Sequence, residues 1–233
     1  MRESGILMHI TSLPAPYGIG TMGKDAYAFV DFLVRAGQRY WQILPLTPTG
    51  YGDSPYQSLG ACAGNHYLID LDRLADEGLL KKEEIQNIPW GSNPARVDFG
   101  AMYAHRMNVL RQAFQRFTPD GAYETFVEQN RNWLEDYALF TALKDTLGGK
   151  PWLDWPEALR LRKADALAEK RRELSDEIRL QYFVQYEFDR QWKALRSYAN
   201  AKGVRIIGDV PIYVPLDSAD VWANPELFQL DES

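Results

Sequence analysis

Cysteine is almost missing from these 233 residues: Cys62 stands alone, which excludes an intrachain disulfide and a thiolate metal cluster. Histidine is scarce as well. His9, His66 and His105 are scattered with no ligand spacing between them, so no metal and no cofactor is expected and each reads as a structural residue. Positive charge is in deficit, with 26 Lys and Arg against 32 Asp and Glu and a net charge of -6. Nucleic-acid binders carry the opposite balance, so no nucleic-acid partner is expected, whereas a neutral ligand is compatible. Long apolar runs are absent too. The N-terminal run is broken at His9 and is too short for a signal-peptide core or a membrane span, which leaves a cytoplasmic protein with no membrane partner as the expectation.

Aromatic residues are plentiful: seven Trp, thirteen Tyr and ten Phe. Two of the tyrosines lie in the stretch 47–65, which is rich in Gly, Ser, Pro, Thr and Tyr and has neither helical nor strand periodicity. Loops of this length inside a compact domain are usually functional or disordered, and disorder would leave Tyr51, Tyr56 and Leu59 idle. Gly50 and Gly52 bracket Tyr51 and permit backbone angles that other residues resist, while Ser54 before Pro55 is biased to an extended conformation. The expected result is a fixed backbone presenting the Tyr51 and Tyr56 rings beside Asp53 and Ser54. Such a surface suits a ligand that is apolar on its faces and polar at its edge, as a sugar ring is. A structural loop whose tyrosines plug into the body is the other reading.

The order of elements is that of an α/β protein. Residues 5–12 form an apolar run of strand length, and Ala26, Phe29, Val30, Leu33 and Ala36 recur at helical spacing before Gly37. Residues 40–46 are a second strand candidate, which completes a βαβ unit of the kind that builds parallel sheets. Then the character changes. Tyr103, Met107, Leu110, Phe114 and Phe117 predict one amphipathic helix; Trp133, Tyr137, Phe140 and Lys144 predict another, stopped by Gly148 and Gly149. A link containing Trp152 and Trp155 precedes a charged, helix-prone run over 157–173, and residues 69–173 together read as a helical insertion. Ser175 is expected to cap a long helix whose buried stripe holds Ile178, Phe183, Phe188, Trp192, Leu195 and Ala199 and which ends at Gly203. Residues 204–211 predict a third parallel strand with Asp209 at or near its carboxyl end, the end that carries chemistry in parallel α/β folds.

Long motifs in this sequence resemble the amylomaltases, the 4-α-glucanotransferases. The run from Tyr40 through Leu46, Gly50 and Asp53 to Ser58 carries the strongest likeness. It is joined by His9 to Pro14 with Tyr17 to Gly20, by Gly64-Asn65 with Tyr67 to Asp70, and by Gly208 to Val214 with Asp217 to Ala223. The resemblance implies a (β/α)8 TIM barrel with a helical insertion, truncated here after about three strands, residues 1–68 and 174–233 being barrel and 69–173 the insertion. It implies transfer of α-1,4-glucan segments from a maltodextrin donor to a glucose or maltodextrin acceptor, by retaining double displacement. Positions matching Tyr51, Ser54 and Tyr56 lie near bound glucan in that family, and the position matching Asp209 contacts sugar at the reacting end; Asp53 has a weaker claim and otherwise caps its own turn. No motif matching the family's catalytic carboxylates is found, so this chain is expected to be inactive alone. A non-catalytic glucan-binding protein and an α-glucan hydrolase on the same barrel are the alternatives.

Overall fold

The computed structural model describes residues 2–50, 52–93 and 95–230. Three short parallel strands, β1 (Gly5–Leu7), β2 (Tyr40–Gln42) and β3 (Arg205–Ile207), form one sheet in the order β1-β2-β3. Gly5 and Arg205 both register with Tyr40, and Leu7 and Ile207 both register with Gln42. The helices that follow in chain order are α1 (Lys24–Arg35), α2 (Leu71–Asp76), α3 (Lys82–Gln86), α4 (Phe99–Arg116), α5 (Gly121–Gln129), α6 (Arg131–Thr146), α7 (Glu157–Arg160), α8 (Ala164–Glu173), α9 (Ser175–Ala201) and α10 (Ala219–Ala223). The fold is thus α/β and mostly helical. No helix among the described residues is long and apolar enough to cross a membrane.

Each strand is shorter than the apolar run that predicted it. The backbone of Met8 still donates to Gln42, but Ile10–Ser12 then closes a 3-10 turn. Proline at positions 45 and 211 removes the N–H that a longer ladder needs. The helix ends are where the glycines put them: Gly37, Gly148, Gly149 and Gly203 all have positive φ, from 70° to 78°. Two helical expectations need correction. The run 157–173 is split into α7 and α8, with Arg162 at φ 52° between them. Ser175 lies inside the first turn of α9 rather than capping it.

The described residues divide into two compact units. One takes the chain up to Leu46, Asn65–Thr118 and Glu187–Val210. Its core packs Val30 and Leu33 of α1, Trp41 of β2, Leu68, and Leu195 and Ala199 of α9 around Ile10 and Met22. Here α4 turns a face different from the expected one to the interior: Met102, Arg106, Val109, Leu110 and Ala113 are buried, while Tyr103 is exposed. The stripe of large apolar residues is displaced because Arg106 must reach the carbonyls of Tyr67 and Ile69, to which its Nη2 donates. The second unit takes Thr47–Gly64, Pro119–Tyr186 and the chain from Pro211. Its core is aromatic, with Phe140, Trp155 and Trp222 rings 5.3 to 5.8 Å apart. Trp152, Trp155 and Trp222 each donate their indole N–H to a backbone carbonyl, of Leu216, Lys150 and Leu159, which satisfies the polar atom that burial would otherwise strand. Trp222 is 1% exposed, so it packs in this core rather than facing a ligand.

Candidate functional site

The loop 47–64 is held at its neck by the Asn65 N–H, which donates to the Leu46 carbonyl at 2.7 Å. Beyond that neck the chain makes a narrow hairpin. Thr49 and Ser58 form an antiparallel bridge, and Gly50 N–H donates to Gln57 at 3.1 Å. At the tip, Gly52 (φ 89°) and Asp53 (φ 56°) both take left-handed conformations, and Asp53 N–H closes the turn onto the Gly50 carbonyl. Glycine reaches that region without strain, and aspartate is among the few other residues that tolerate it. Ser54 then shapes the return: its carbonyl accepts from Gln57 N–H at 3.1 Å and its hydroxyl from Tyr56 N–H at 3.3 Å. Thr47 Oγ1 donates to the Pro55 carbonyl at 3.2 Å.

These bonds settle what the tip offers. Tyr56 is 45% exposed, and Asp53 and Ser54 are partly exposed next to it. Tyr56, Asp53 and Ser54 thus lie within one turn of a backbone with a defined path. Tyr51, the other expected aromatic, lies outside the described residues.

The root of the loop is built differently, by burial. Ser58 Oγ both donates to the Gly60 carbonyl (2.8 Å) and accepts its N–H (3.1 Å). Gly60 presses against Tyr137 so closely that a Cβ would fall 2.6 Å from the ring. Ala61 N–H donates to Asp220 Oδ2 at 2.9 Å, and Leu59 accepts from Ala219 N–H at 2.9 Å. Gly64 is gripped by Gln185: its N–H donates to Oε1 at 2.7 Å, and Nε2 donates to its carbonyl at 3.0 Å. A cavity of about 60 Å³ lies beside this root, lined by Cys62, Trp133, Asp136, Tyr137 and Asp220 among others. Partial burial and then the charge of Asp220 push the Cys62 thiol up, which keeps it protonated and poorly nucleophilic near neutral pH. Sequence reading placed Asp220 in the 217–223 motif without a role and missed Gln185; a glutamine on a helix gives no local sign that it will be buried.

In the first unit Asp209 stands two residues beyond the last residue of β3, at the carboxyl end of the sheet, as expected, and it is partly exposed. His9 stands two residues beyond the last residue of β1. Leu7 and Ile207 share the partner Gln42, so His9 and Asp209 emerge at the same end of the sheet on either side of β2. Burial lowers the His9 imidazole to about 4, which leaves it neutral under physiological conditions. His66 is held lower still, at about 3, by burial and by the neighbouring Arg106. Among the described residues no group of three or more His, Cys, Asp or Glu is arranged to hold a metal ion.

A parallel sheet with helical crossovers defines an α/β protein, a class whose ligands commonly lie at the carboxyl ends of the strands. The chain belongs to the 4-alpha-glucanotransferase family, whose pattern it matches over residues 8–233. It is 52% identical over 237 aligned residues to the 4-alpha-glucanotransferase of Thermus thermophilus, covering 99% of this chain and 46% of that protein. It is 47% identical to the Clostridium butyricum 4-alpha-glucanotransferase, over 97% of this chain and 47% of the relative. Among solved structures, an amylomaltase from Streptococcus agalactiae in complex with acarbose superposes with a TM-score of 0.96 at 48% identity, over 100% of this chain and 48% of that one. The chain thus spans about half the length of the relatives it matches.

Proposed function

We propose that these residues form the glucan-holding part of an amylomaltase-type 4-α-glucanotransferase on a (β/α)8 barrel. The reaction is transfer of an α-1,4-linked glucan segment from a maltodextrin donor to the 4-hydroxyl of a glucose or maltodextrin acceptor. The observation that carries this reading is the hairpin tip: an exposed Tyr56 ring beside Asp53 and Ser54, on a backbone fixed by its own hydrogen bonds, in a chain of this family. The ring supplies an apolar face for a pyranose, and the serine hydroxyl and the carboxylate meet its rim. Tyr51 is assigned the same role as Tyr56, and Asp209 a sugar contact at the carboxyl end of β3. In this reading 69–173 is a helical insertion in the barrel, and the setting is cytoplasmic.

Retaining double displacement uses two carboxyl groups about 5 Å apart, one attacking and one donating the proton. The reading assigns neither role to any carboxylate in these residues, which span about half of the relatives' length. What the described residues contribute is binding and orientation. Acceptor sugar held on a fixed aromatic surface outcompetes water for the glycosyl intermediate, and this is what separates a transferase from a hydrolase.

Incubation with maltotriose tests the reading. Glucose together with chains longer than maltotriose supports transfer. Reducing sugar that rises without longer chains supports the hydrolase alternative. Maltodextrin binding with no turnover is what residues without an assigned catalytic carboxylate should show, and neither binding nor turnover overturns the proposal.

A further inference from the structure

The Gln185 residue is 2% exposed, and both edges of its side-chain amide pair with the backbone of one residue, Gly64, at 2.7 and 3.0 Å. Glutamine is rarely buried, because its amide needs partners for an acceptor and two donors. Here the burial is tolerated because the Gly64 N–H and carbonyl present the complementary pair. From Gly64 a series of short links leads to the hairpin tip. Ala63 N–H donates to the Gly60 carbonyl, Gly60 is closed on Ser58 by the serine hydroxyl, Ser58 bridges Thr49, and Gly50 pairs with Gln57 next to Tyr56. No link in that series is a long free segment, so a displacement at Gly64 is passed on rather than absorbed.

We propose that Gln185 is a positioning residue for glucan binding, which sets the root of the loop so that Tyr56, Ser54 and Asp53 at its tip meet the sugar. The inference rests on the glucan-binding reading given above. It differs from a purely structural role, because the same chemistry recurs on the same helix without a link to the loop. Gln191, fully buried, accepts from Asp70 N–H at 2.7 Å and donates to the Asp70 carbonyl at 3.4 Å. Asp70 caps α2, its carboxylate accepting from Arg73 N–H and from Thr21 Oγ1. Gln191 therefore costs the protein the same two hydrogen bonds when lost, and serves as an internal reference.

The test compares Gln185→Met with Gln191→Met, a substitution of similar volume and length that removes both bonds. Maltoheptaose binding is measured by titration calorimetry, and urea midpoints give the stability of each variant. The expectation is a similar loss of stability in the two, with glucan affinity about five- to tenfold weaker in Gln185→Met alone. Wild-type affinity in Gln185→Met, or an equal loss in Gln191→Met, overturns the proposal while leaving the glucan reading intact. A wild-type protein that does not bind maltoheptaose overturns both. If Gln185→Met does not fold, Gln185→Asn replaces it: the amide is kept but drawn back by one methylene from both partners, so a smaller loss of affinity is expected and an unchanged affinity counts against the proposal.

Discussion

At the scale of single residues, space and angle decide more than polarity does. Gly60 is required because the Tyr137 ring occupies the place of a Cβ at 2.6 Å. Gly60→Ala is expected to destabilise the protein by about 1–3 kcal/mol through overpacking, read as a lower urea midpoint. Tyr56 is the opposite case. Its ring is 45% exposed, so Tyr56→Ala should leave the urea midpoint within about 0.5 kcal/mol of wild type. The same substitution should weaken maltoheptaose binding by roughly three- to tenfold, the range expected for loss of one aromatic face. A large stability loss with unchanged binding would make Tyr56 a packing residue, the other reading its sequence context allowed.

At the scale of elements, the short 3-10 segments that follow β1 and the loop 47–64 bring pH into the stability of the fold. His9 immediately precedes the turn Ile10–Ser12, and His66 opens the turn His66–Leu68 against the Tyr67 ring at 4.2 Å. Both are neutral in the folded chain, at about 4 and about 3, and both return to about 6.5 when unfolded. The unfolded chain then binds more protons between pH 6.5 and the folded values, so stability falls as pH falls through that window. Denaturation midpoints measured from pH 7 to pH 4.5 should decline, and His66→Gln should flatten the decline; an identical slope in the variant would exclude His66 as its source.

Elements also mark how much of the architecture sequence reasoning can reach. Helix ends at Gly37, Gly148, Gly149 and Gly203 were legible because a left-handed terminus leaves a local signature. The loop and the place of Asp209 past a strand were legible for the same reason, since Gly, Pro and a valine–isoleucine run state their preferences over a few residues. Strand lengths were not, because 3-10 turns and prolines cut the ladder short of the apolar run. The inward face of α4 was not either: Arg106 is fully buried because two carbonyls and the Trp90 ring, 5.8 Å away, receive it, and those partners lie far off in sequence. The roles of Gln185 and Asp220 were missed on the same ground. Their partners, Gly64 and Ala61, lie 121 and 159 residues away in the chain.

At the scale of the whole molecule, charge and ligand chemistry can be set against each other. The net charge of -6 would repel an anionic ligand, whereas a maltodextrin carries no charge for the field to act on. Glucan affinity should accordingly change less than about twofold between roughly 0.05 and 0.5 M salt, a range over which surface electrostatics are largely screened out. A steep salt dependence in the same titration would mean that a charged ligand is the true occupant.

The bond between Leu46 and Asn65 has a consequence for how such a protein can diversify. With the two stems already joined at 2.7 Å, the intervening segment is a ring closed at its own neck. Doubling the length of such a ring adds only about 0.6 kcal/mol of closure entropy. Residues can therefore be added at the hairpin tip, beyond the Thr49–Ser58 bridge, at little thermodynamic expense, while the root held by Gln185 and Tyr137 stays as it is.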